Sequence, residues 1–304
     1  MYKNKVYIII INFGTPWHTI ECLESISENI YEHFQVVVVD ISNINLSVEK
    51  INQWIERKND NRFELIPEKE NKGFAYANNI GIKYSRKQND CDFLWILNND
   101  TVIEKNSLEE LINCYKQKKD IKTIGFIGSK ILDYGDKKLI QNVGGTFNKW
   151  TGYSVLIGMG EKDKGQFDNK EIKVDYVIGA SMFCHSSLIH EVGLMPEDYF
   201  LYYEDIDWCI TSQKAGFRNL TCTRSIIYHK QGVSTGAKLL TDDKHLMNKK
   251  YLYISYLRFY KRQYKLLLPV AYFILFKQLL GMMFHRKFKE AGLIVVAVLK
   301  MKKV

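Results

Sequence analysis

The sequence lacks the features of a secreted or disulfide-stabilised protein. Its 304 residues include six cysteines, and none of them forms a CxxC pair. Single cysteines far apart in the chain predict reduced thiols in a cytosolic protein. The first residues, Met1–Lys5, run straight into an apolar stretch without a separate small-residue cleavage region. We therefore expect no signal peptide.

Acidic residues are almost absent from the C-terminal tail. From Lys249 to Val304 the chain has 13 Lys and Arg and one acid, Glu290, whereas the residues before the tail have 30 basic and 33 acidic side chains. The main body is therefore not basic. This argues against nucleic acid as a partner, because nucleic-acid binders spread Lys and Arg over their folded surface. A basic tail favours contact with an anionic membrane surface.

The tail also lacks an uncharged run long enough to span a membrane. Leu266–Phe276 has 11 residues before Lys277, against about 20 for a spanning helix. Aromatic residues between Tyr251 and Tyr264 alternate with Lys and Arg, which suits the interfacial region of a bilayer. We expect a helical tail that lies on the membrane. The alternative is a helical pair packed on the main body or on the partner in a homodimer.

Several runs of β-branched and large apolar residues predict buried strands. We expect Val6–Asn12 to be the first, central strand, with further strands at Val36–Asp40 and Phe93–Leu97. Helical patterns lie between these runs, so strand alternates with helix. The chain is 46% hydrophobic, enough for a full core, and the alternation predicts an α/β fold with a mostly parallel, doubly wound sheet.

One predicted strand stops abruptly at Asn98, Asn99 and Asp100. In open α/β sheets, ligands bind beyond the carboxyl ends of the strands. A carboxylate there suits a hard divalent cation that keeps positions open for substrate phosphates. The strand Val36–Val39 also ends on an acid, Asp40. An ordinary Asn/Asp turn explains the Asn-Asn-Asp sequence equally well, so the metal interpretation depends on the other motifs.

Two further segments indicate close approach of a ligand to the backbone. Asn71–Gly81 is rich in Gly and Asn and leads into a helix of small residues. Such a loop brings backbone N–H groups near a ligand, and a helix N-terminus favours an anion; a simple tight turn is the alternative. Val174–Cys184 reads as a strand interrupted by Gly179 and Ala180, where a ligand or another backbone can come close.

Acids and one histidine in the C-terminal half complete the candidates. Glu204, Asp205 and Asp207 follow an aromatic run at the start of a predicted helix. The helix dipole favours acids in a first turn, which explains Asp207 as a capping residue. Glu204 and Asp205 follow four apolar residues and are harder to explain as surface residues. His229 ends a last short strand; such a histidine is more often structural, and pairing with Asp100 would make it a ligand.

In this order the motifs resemble those of the inverting, GT-A-fold family 2 glycosyltransferases, and most closely their bacterial rhamnosyltransferase-like branch. The resemblance covers roughly residues 5–240. It implies a catalytic domain over residues 1–248, with a nucleotide-sugar half to about 132 and an acceptor half from about 133. The tail, residues 249–304, is then a helical membrane-associating segment.

The resemblance also implies roles for single residues. Asp205 would be the base and Glu204 would contact sugar hydroxyls, although the two carboxylates can exchange roles. The DXD element of the family appears here as Asn98-Asn99-Asp100, which keeps only the last acid. Asp100 and His229 would hold a divalent metal, Mg²⁺ or Mn²⁺. The nucleotide-sugar donor would contact Asn12, Asp40, Asn71, Gly73, Phe74, Asn78, Asn98 and Asn99. The acceptor side would include Gly179, Ala180, Asp207 and Trp208.

The function that this resemblance implies is transfer of L-rhamnose from dTDP-rhamnose to a lipid-linked glycan. The product would enter a bacterial surface polysaccharide such as a capsule or O-antigen, and the enzyme would sit in the cytoplasm on the inner face of the cell membrane. One alternative is a transferase that uses a UDP-hexose or UDP-N-acetylhexosamine. Another is a module that binds nucleotide-sugars or glycans without catalysis.

Overall fold

A computed structural model describes residues 4–118, 120–168, 170–230 and 242–301. Strands and helices alternate along the first half of these residues, as the sequence predicts. The strands are β1 Val6–Asn12, β2 Phe34–Asp40, β3 Phe63–Pro67, β4 Phe93–Asn98, β5 Thr101–Ile103, β6 Ile124–Asp133, β7 Ile140–Asn142, β8 Gly145–Asn148, β9 Tyr153–Leu156, β10 Glu171–Lys173, β11 Ser181–His185 and β12 Arg218–His229.

Helices connect these strands and complete the C-terminal part. The α-helices are α1 Pro16–Ser27, α2 Asn45–Lys58, α3 Phe74–Lys87, α4 Ser107–Lys116, α5 Ser186–Val192, α6 Glu204–Lys214, α7 Asp242–Gln263, α8 Leu268–Phe284 and α9 Phe288–Met301. Short 3-10 turns lie at Ile121–Thr123 and Lys265–Leu267.

The main sheet has the strand order β10-β12-β6-β11-β4-β1-β2-β3. The pairs β1–β2, β2–β3 and β1–β4 are parallel. β11 is antiparallel to β4 and β6, and β12 is parallel to β6. The sheet is therefore mixed: a parallel half that begins the chain joins a second half through one antiparallel strand.

Helices cover both faces of the sheet, and β1 shows why. Its alternate residues enter two different cores, with Val6 in one and Tyr7 in the other. α1, α2 and α4 contribute to the first core, and α3, α6 and α7 to the second. A strand buried on both faces needs apolar residues throughout, which β1 has. The predicted α/β fold is confirmed.

The C-terminal helices differ in how much of them is buried. α7 buries Tyr253, Leu257 and Tyr260 in the same core as α3 and α6. The predicted boundary after residue 248 falls inside this helix, and the division into two domains stays a prediction. α8 buries Ala271 and Leu275. Large apolar side chains are exposed along the 3-10 turn, α8 and α9: Leu266, Phe273, Phe276, Leu280, Met283, Phe284, Phe288, Val295, Val296 and Leu299.

The apolar part of the tail is longer than the uncharged run in the sequence. Helical structure continues past Lys277, so Lys265–Phe284 forms a segment of 20 residues, and its most apolar window of 18 residues has a mean hydropathy of 1.8. This segment is long and apolar enough to cross a membrane by length and composition, and 11% of its most apolar window is buried inside the protein. We call the exposed apolar residues of α8 and α9 the apolar tail face.

Candidate active site

A cavity of about 370 Å³ opens beyond the carboxyl ends of the parallel strands. Parallel strands end at one edge of a sheet, so loops that are distant in sequence meet there. The lining combines residues at or just after the ends of β1, β2 and β4 with residues before and at the start of α3, before β11, at the start of α6 and the segment before it, and on one face of α7. These are Ile11, Phe13, Ile41, Asn71, Gly73, Phe74, Asn98, Asn99, Ile178, Gly179, Ala180, Phe200, Leu201, Tyr202, Glu204, Asp205, Met247, Asn248 and Tyr251.

Nine of the lining residues were predicted as site residues from the sequence. The structure brings the proposed donor loop, the Asn98-Asn99 pair, the Gly179-Ala180 segment and the two acids into one cavity. The lining members of the predicted set are Asn71, Gly73, Phe74, Asn98, Asn99, Gly179, Ala180, Glu204 and Asp205. The predicted residues outside the lining are described below.

The donor loop, residues Asn71–Gly73, is locked to the segment before the acids. Gly73 has φ +104°, and a Cβ atom there would lie 2.3 Å from the carbonyl oxygen of Phe200. That same oxygen accepts a hydrogen bond from the N–H of Phe74 at 3.1 Å. Only glycine has both the conformation and the space for this contact.

Asn12 and Asp40 lie behind the cavity in a buried polar network. Asn12 Nδ2 donates to Asp40 Oδ2 at 2.6 Å. The other oxygen of Asp40 accepts from the N–H and hydroxyl of Ser42 at 2.8 and 2.5 Å, and Oδ2 also accepts from Ser47. The carboxylate is therefore well supplied with donors from the protein. The hydrogen bonds of Asp40 hold the loop after β2 in place, and Ile41 of this loop lines the cavity.

Asn78 and Asn99 have different surroundings. Asn99 lines the cavity, and its Nδ2 donates to Thr15 and Thr19 at 2.9 Å, which ties the turn after β4 to the start of α1. Asn78 is fully buried in α3, where its Nδ2 donates to the carbonyl of Phe74 at 3.0 Å. Its Oδ1 is buried without a hydrogen-bond partner.

Glu204 and Asp205 begin α6 and present two carboxylates with unlike partners. Asp205 Oδ2 accepts from the N–H of Gly179 at 2.9 Å, and its Oδ1 accepts from Ile206 at 2.8 Å. Glu204 Oε2 is buried and has no hydrogen-bond partner. Burial, helped by the charge of Asp205, raises the pKa of Glu204 to about 8. Burial also raises the pKa of Asp205, against the lowering effect of the backbone N–H groups.

The turn that leads into the acids is strained. Tyr202 and Tyr203 have φ +69° and +70°, a left-handed conformation that costs a non-glycine residue about 1–2 kcal/mol. We call Phe200–Tyr203 the acid turn. Strain of this kind persists only where surrounding contacts fix the conformation, and it is often found at functional sites.

Asp207 and Trp208 point away from the cavity, into the core. Asp207 is fully buried, accepts a hydrogen bond from the Tyr199 hydroxyl at 2.7 Å, and has Arg262 3.2 Å away. Trp208 Nε1 donates to the carbonyl of Gly193 at 3.1 Å, and its ring packs on Phe126. Through these contacts, both residues hold α6 against the segments that pack on it.

Asp100 and His229 meet at the ends of β4 and β12. Asp100 Oδ1 lies 3.1 Å from His229 Nε2, and no hydrogen bond of good geometry satisfies this oxygen. Although burial raises the pKa of Asp100, the close contact with His229 lowers it below its usual value. Neither residue belongs to the cavity lining, although Asn98 and Asn99 beside them do.

A glutamine orients the imidazole of His229. His229 Nδ1 lies 3.0 Å from Gln141 Oε1, and Gln141 Nε2 donates to the carbonyl of His229 at 2.6 Å. In the tautomer whose Nδ1–H donates to Gln141, the Nε2 lone pair is available to a cation held beside Asp100. Metal-bound histidines are held in this way by an outer hydrogen bond.

The Asp100–His229 pair fits a divalent cation in part. Two neighbouring ligands at about 2.1 Å from an octahedral ion lie about 3 Å apart, which matches the distance between Asp100 Oδ1 and His229 Nε2. The partnerless carboxylate oxygen supplies a lone pair. Across the described parts of the chain, however, no three His, Cys, Asp or Glu side chains gather as a metal site, so the remaining ligands would come from substrate and water.

Sequence patterns did not identify Gln141 or the α7 residues of the cavity. Gln141 lies in the Gly-rich segment 133–172, whose weak periodicity hides short strands. Met247 and Tyr251 of α7 line the cavity, but their region has the composition of a membrane-binding tail. The stacking of Tyr251 on Phe200, with ring centroids 4.5 Å apart, has no signal in a single sequence.

Comparisons with known proteins show which sequences this chain is similar to. The sequence model named "Glycosyl transferase family 2" matches residues 7–190. The hexosyltransferase Agl10 of low-salt glycan biosynthesis, from Haloferax volcanii, is 23% identical over 226 residues, which cover 74% of this chain and 67% of Agl10. The rhamnosyltransferase WbbL of Escherichia coli is 25% identical over 223 residues, which cover 70% of this chain and 78% of WbbL.

Solved structures show the same fold. The mannosyltransferase PcManGT from Pyrobaculum calidifontis, in complex with GDP-Man and Mn²⁺, aligns with a TM-score of 0.59 and 14% identity, covering 99% of this chain and 87% of that one. GalNAc-T7 with UDP, GalNAc and Mn²⁺ aligns with a TM-score of 0.61 and 15% identity over 84% of this chain. The alignment spans half of GalNAc-T7.

Proposed function

The chain belongs to glycosyl transferase family 2, and from that premise we propose that it is an inverting transferase that moves a hexose from a nucleotide-diphosphosugar to an acceptor hydroxyl. The observation that carries this proposal is the shared cavity. The buried carboxyl group of Glu204 and the half-buried carboxyl group of Asp205 line this cavity together with the donor loop and the Asn98-Asn99 pair. A single displacement at the sugar carbon needs a base on the side opposite the residues that bind the departing diphosphate.

Asp205 is the base in this mechanism. The hydrogen bonds from Gly179 and Ile206 fix its carboxylate at the start of α6. As the acceptor oxygen bonds to the anomeric carbon, its proton passes to Asp205. The bond from that carbon to the diphosphate breaks on the opposite side, and the nucleoside diphosphate leaves with the electron pair. One displacement inverts the configuration at carbon 1.

Glu204 has a role different from that of the base. Glu204 lines the cavity, and its Oε2 is buried without a partner; a buried polar atom without a partner is costly unless a ligand satisfies it. A pKa of about 8 keeps this carboxyl largely protonated near neutral pH. It can therefore donate a hydrogen bond to a sugar hydroxyl of the donor or the acceptor.

Asp100 and His229 would hold a divalent cation beside the departing diphosphate. Such an ion, when bound, neutralises charge on the phosphate oxygens as a Lewis acid. Gln141 keeps the Nε2 lone pair of His229 available to it. The Mn²⁺ in the structures of PcManGT and GalNAc-T7 supports Mn²⁺ here, and Mg²⁺ is the alternative.

The donor that we propose is dTDP-rhamnose. The similarity to the rhamnosyltransferase WbbL supports it. The cavity supports it too, because its walls include the apolar side chains of Phe74, Ile178 and Phe200, which suit the methyl group of a 6-deoxysugar. A UDP-hexose or UDP-N-acetylhexosamine is the alternative, and the UDP in the GalNAc-T7 structure is consistent with it.

The acceptor that we propose is a lipid-linked glycan for a bacterial surface polysaccharide, a capsule or O-antigen. A lipid carrier keeps its sugars at the membrane, so the enzyme must work there. The apolar tail face on α8 and α9, next to basic residues such as Lys265, Lys277 and Arg286, supports peripheral binding to the inner face of the cell membrane. Lys265–Phe284 is long enough for the alternative, a spanning helix.

A module that binds nucleotide-sugars without catalysis is a second candidate. The observation that favours it is the small number of protein ligands at the metal site. In the described residues, Asp100 has one histidine and no second acid beside it. Such a module would bind nucleotide diphosphate but transfer no sugar under any metal condition.

A donor panel separates these proposals. The full-length protein is incubated with Mn²⁺ or Mg²⁺, a lipid-linked acceptor extract, and dTDP-rhamnose, UDP-glucose or UDP-N-acetylglucosamine in turn. Mass spectrometry of the lipid fraction then gives the added mass. We expect a deoxyhexose increment with dTDP-rhamnose alone. Addition from a UDP-sugar would replace the donor assignment, and nucleotide binding without any added mass would favour the non-catalytic module.

A further inference from the structure

We propose that Ser255 of α7 is a positioning residue for the acid pair, because its hydroxyl holds the acid turn in the conformation that directs Glu204 and Asp205 into the cavity. Ser255 Oγ donates a hydrogen bond to the carbonyl of Leu201 at 2.8 Å. The inference rests on the proposed function, since it assigns a role within the transfer reaction. It makes α7 a part of the catalytic machinery rather than a membrane tail only.

The acid turn needs an external support. Its two consecutive tyrosines, Tyr202 and Tyr203, are both left-handed, a conformation that side chains larger than that of Asn seldom adopt. Tyr203 occupies the N-cap position of α6, where no side chain caps the helix. The N-cap residue therefore gives the turn no side-chain hydrogen bond, and contacts from other elements help to hold its conformation.

One face of α7 supplies these contacts, and Ser255 lies at its centre. Tyr251, one turn before Ser255, stacks on Phe200 with ring centroids 4.5 Å apart. Tyr256 and Phe259 pack on the ring of Tyr203 at 5.9 and 5.2 Å. Ser255 is 2% exposed, so its hydrogen bond to Leu201 is shielded from competing water.

A second set of contacts fixes α6 beyond the acids. Gln263 Nε2 donates to Asp207 Oδ1 at 2.9 Å, and Arg262 lies 3.2 Å from the same oxygen. Asp207 is fully buried. α7 thus holds α6 on both sides of Glu204 and Asp205, at the acid turn through Ser255 and just beyond the acids through Asp207.

The acid turn also fixes the position of the donor loop. The carbonyl of Phe200 accepts from the N–H of Phe74 at 3.1 Å and lies where a side chain at Gly73 would be. A shift of the acid turn would therefore move the base relative to the donor. Since a misplacement of about 1 Å can cost a hundredfold in rate, the Ser255 hydrogen bond acts on turnover more than on donor affinity.

The test replaces Ser255 with Ala and with Cys in the full-length protein. We expect Ser255→Ala to lower kcat about tenfold while the dissociation constant for the nucleoside diphosphate, from calorimetry, stays within about twofold. The acidic limb of kcat/KM against pH should move to lower pH, because a relaxed turn admits water to two carboxyls whose pKa values burial raises. Ser255→Cys keeps the size and a weak donor, and should fall between wild type and Ala.

Ser85→Ala is the matched control. Ser85 is also a buried helical serine whose hydroxyl donates to a backbone carbonyl, that of Gly81 at 3.0 Å, but it does not line the cavity. A fall in Tm with unchanged kcat and pH profile in both Ser255 variants, as in Ser85→Ala, would overturn the inference. Absence of transfer by the wild-type enzyme would instead count against the proposed function. If Ser255→Ala does not fold, Ser255→Cys decides between the two outcomes.

Discussion

Glu204 and Asp205 are neighbours in the chain, yet the protein satisfies both oxygens of the Asp205 carboxylate and leaves one oxygen of Glu204, Oε2, without a partner. Asp205 receives N–H groups from Gly179 and Ile206, whereas Glu204 Oε2 receives none. The first carboxylate is fixed before any substrate binds. The second keeps its hydrogen-bonding capacity for a ligand, at the cost of a pKa raised to about 8 by burial.

The raised pKa of Glu204 predicts a stability that falls as pH rises. Glutamate in an unfolded chain titrates near 4.3, so between that pH and about 8 the folded protein binds an additional proton, and raising the pH through this range destabilises it. Glu204→Gln removes the ionisation. We expect this variant to melt above the wild type at pH 8, by about 1–2 °C for each kcal/mol regained, and level with it near pH 5.

Differential scanning fluorimetry across pH 5–8 measures this difference. Glu56→Gln, at an exposed position of α2, is the control and should follow the wild type at every pH. A Tm difference for Glu204→Gln that stays constant with pH would mean that Glu204 does not carry the raised pKa.

Removing the base should abolish transfer without loss of donor binding. In Asp205→Asn the amide keeps the size of the side chain but cannot take a proton, so we expect kcat to fall by about 10² to 10⁴. Calorimetric affinity for the nucleoside diphosphate should stay within about threefold. Near-wild-type turnover would remove Asp205 from the mechanism.

Asp207→Asn tests whether the third acid differs from the other two. Asp207 has Tyr199, Gln263 and Arg262 as partners in the core. Its substitution should lower Tm, because a charged partner of Arg262 is lost, and change kcat less than Asp205→Asn does. A variant with normal Tm and no activity would instead place Asp207 at the substrate.

Weakening the support of His229 should weaken metal binding. Gln141→Leu removes the group that shares the Nδ1 proton, and loss of such an outer hydrogen bond typically costs about 10- to 100-fold in metal affinity. Titration with Mn²⁺, followed by electron paramagnetic resonance, measures this directly. Gln53→Leu on the exposed side of α2 is the control. Unchanged Mn²⁺ affinity in Gln141→Leu, or full transfer in EDTA, would contradict the Asp100–His229 assignment.

The apolar tail face should control membrane binding. Phe273 and Phe276 are 61% and 54% exposed on α8, and burying a Phe side chain in an apolar phase contributes about 1.5–3 kcal/mol. Replacing both with Ser should reduce binding to phosphatidylglycerol-containing vesicles at least tenfold in a flotation assay. Leu46→Ser, at an exposed apolar residue of α2, should bind as the wild type does. Equal flotation of all three proteins would argue against a lipid-facing role.

Much of the fold could be predicted from local sequence patterns, because buried strands have a strong signal. Val6–Asn12 is strand β1 with the predicted bounds, and β2 and β4 contain their predicted runs. The direction of a strand has no such signal. Ser181–His185 is as apolar as its neighbours, so its antiparallel pairing with β4 could not be read from composition.

The candidate site could be predicted only where chemistry follows an element directly. Asp100 and Glu204 stand where an apolar run stops, and this position marks them. Gln141 and Ser255 act through single hydrogen bonds to segments far along the chain. Periodicity shows that α7 is a helix with apolar residues, but it does not show which surface those residues cover. The partners of α7 therefore appear only in the folded protein.

The contact between Gly73 and the carbonyl of Phe200 limits the variation that this protein tolerates. With φ +104° and an oxygen atom 2.3 Å from where a side chain would begin, position 73 accepts no alanine, and every larger residue must push two substrate-facing segments apart. A saturation library at this codon should therefore yield glycine alone among active clones. In chimeras with homologous proteins, the donor loop must therefore be exchanged together with the acid turn that it contacts. The two segments are expected to be inherited as one unit.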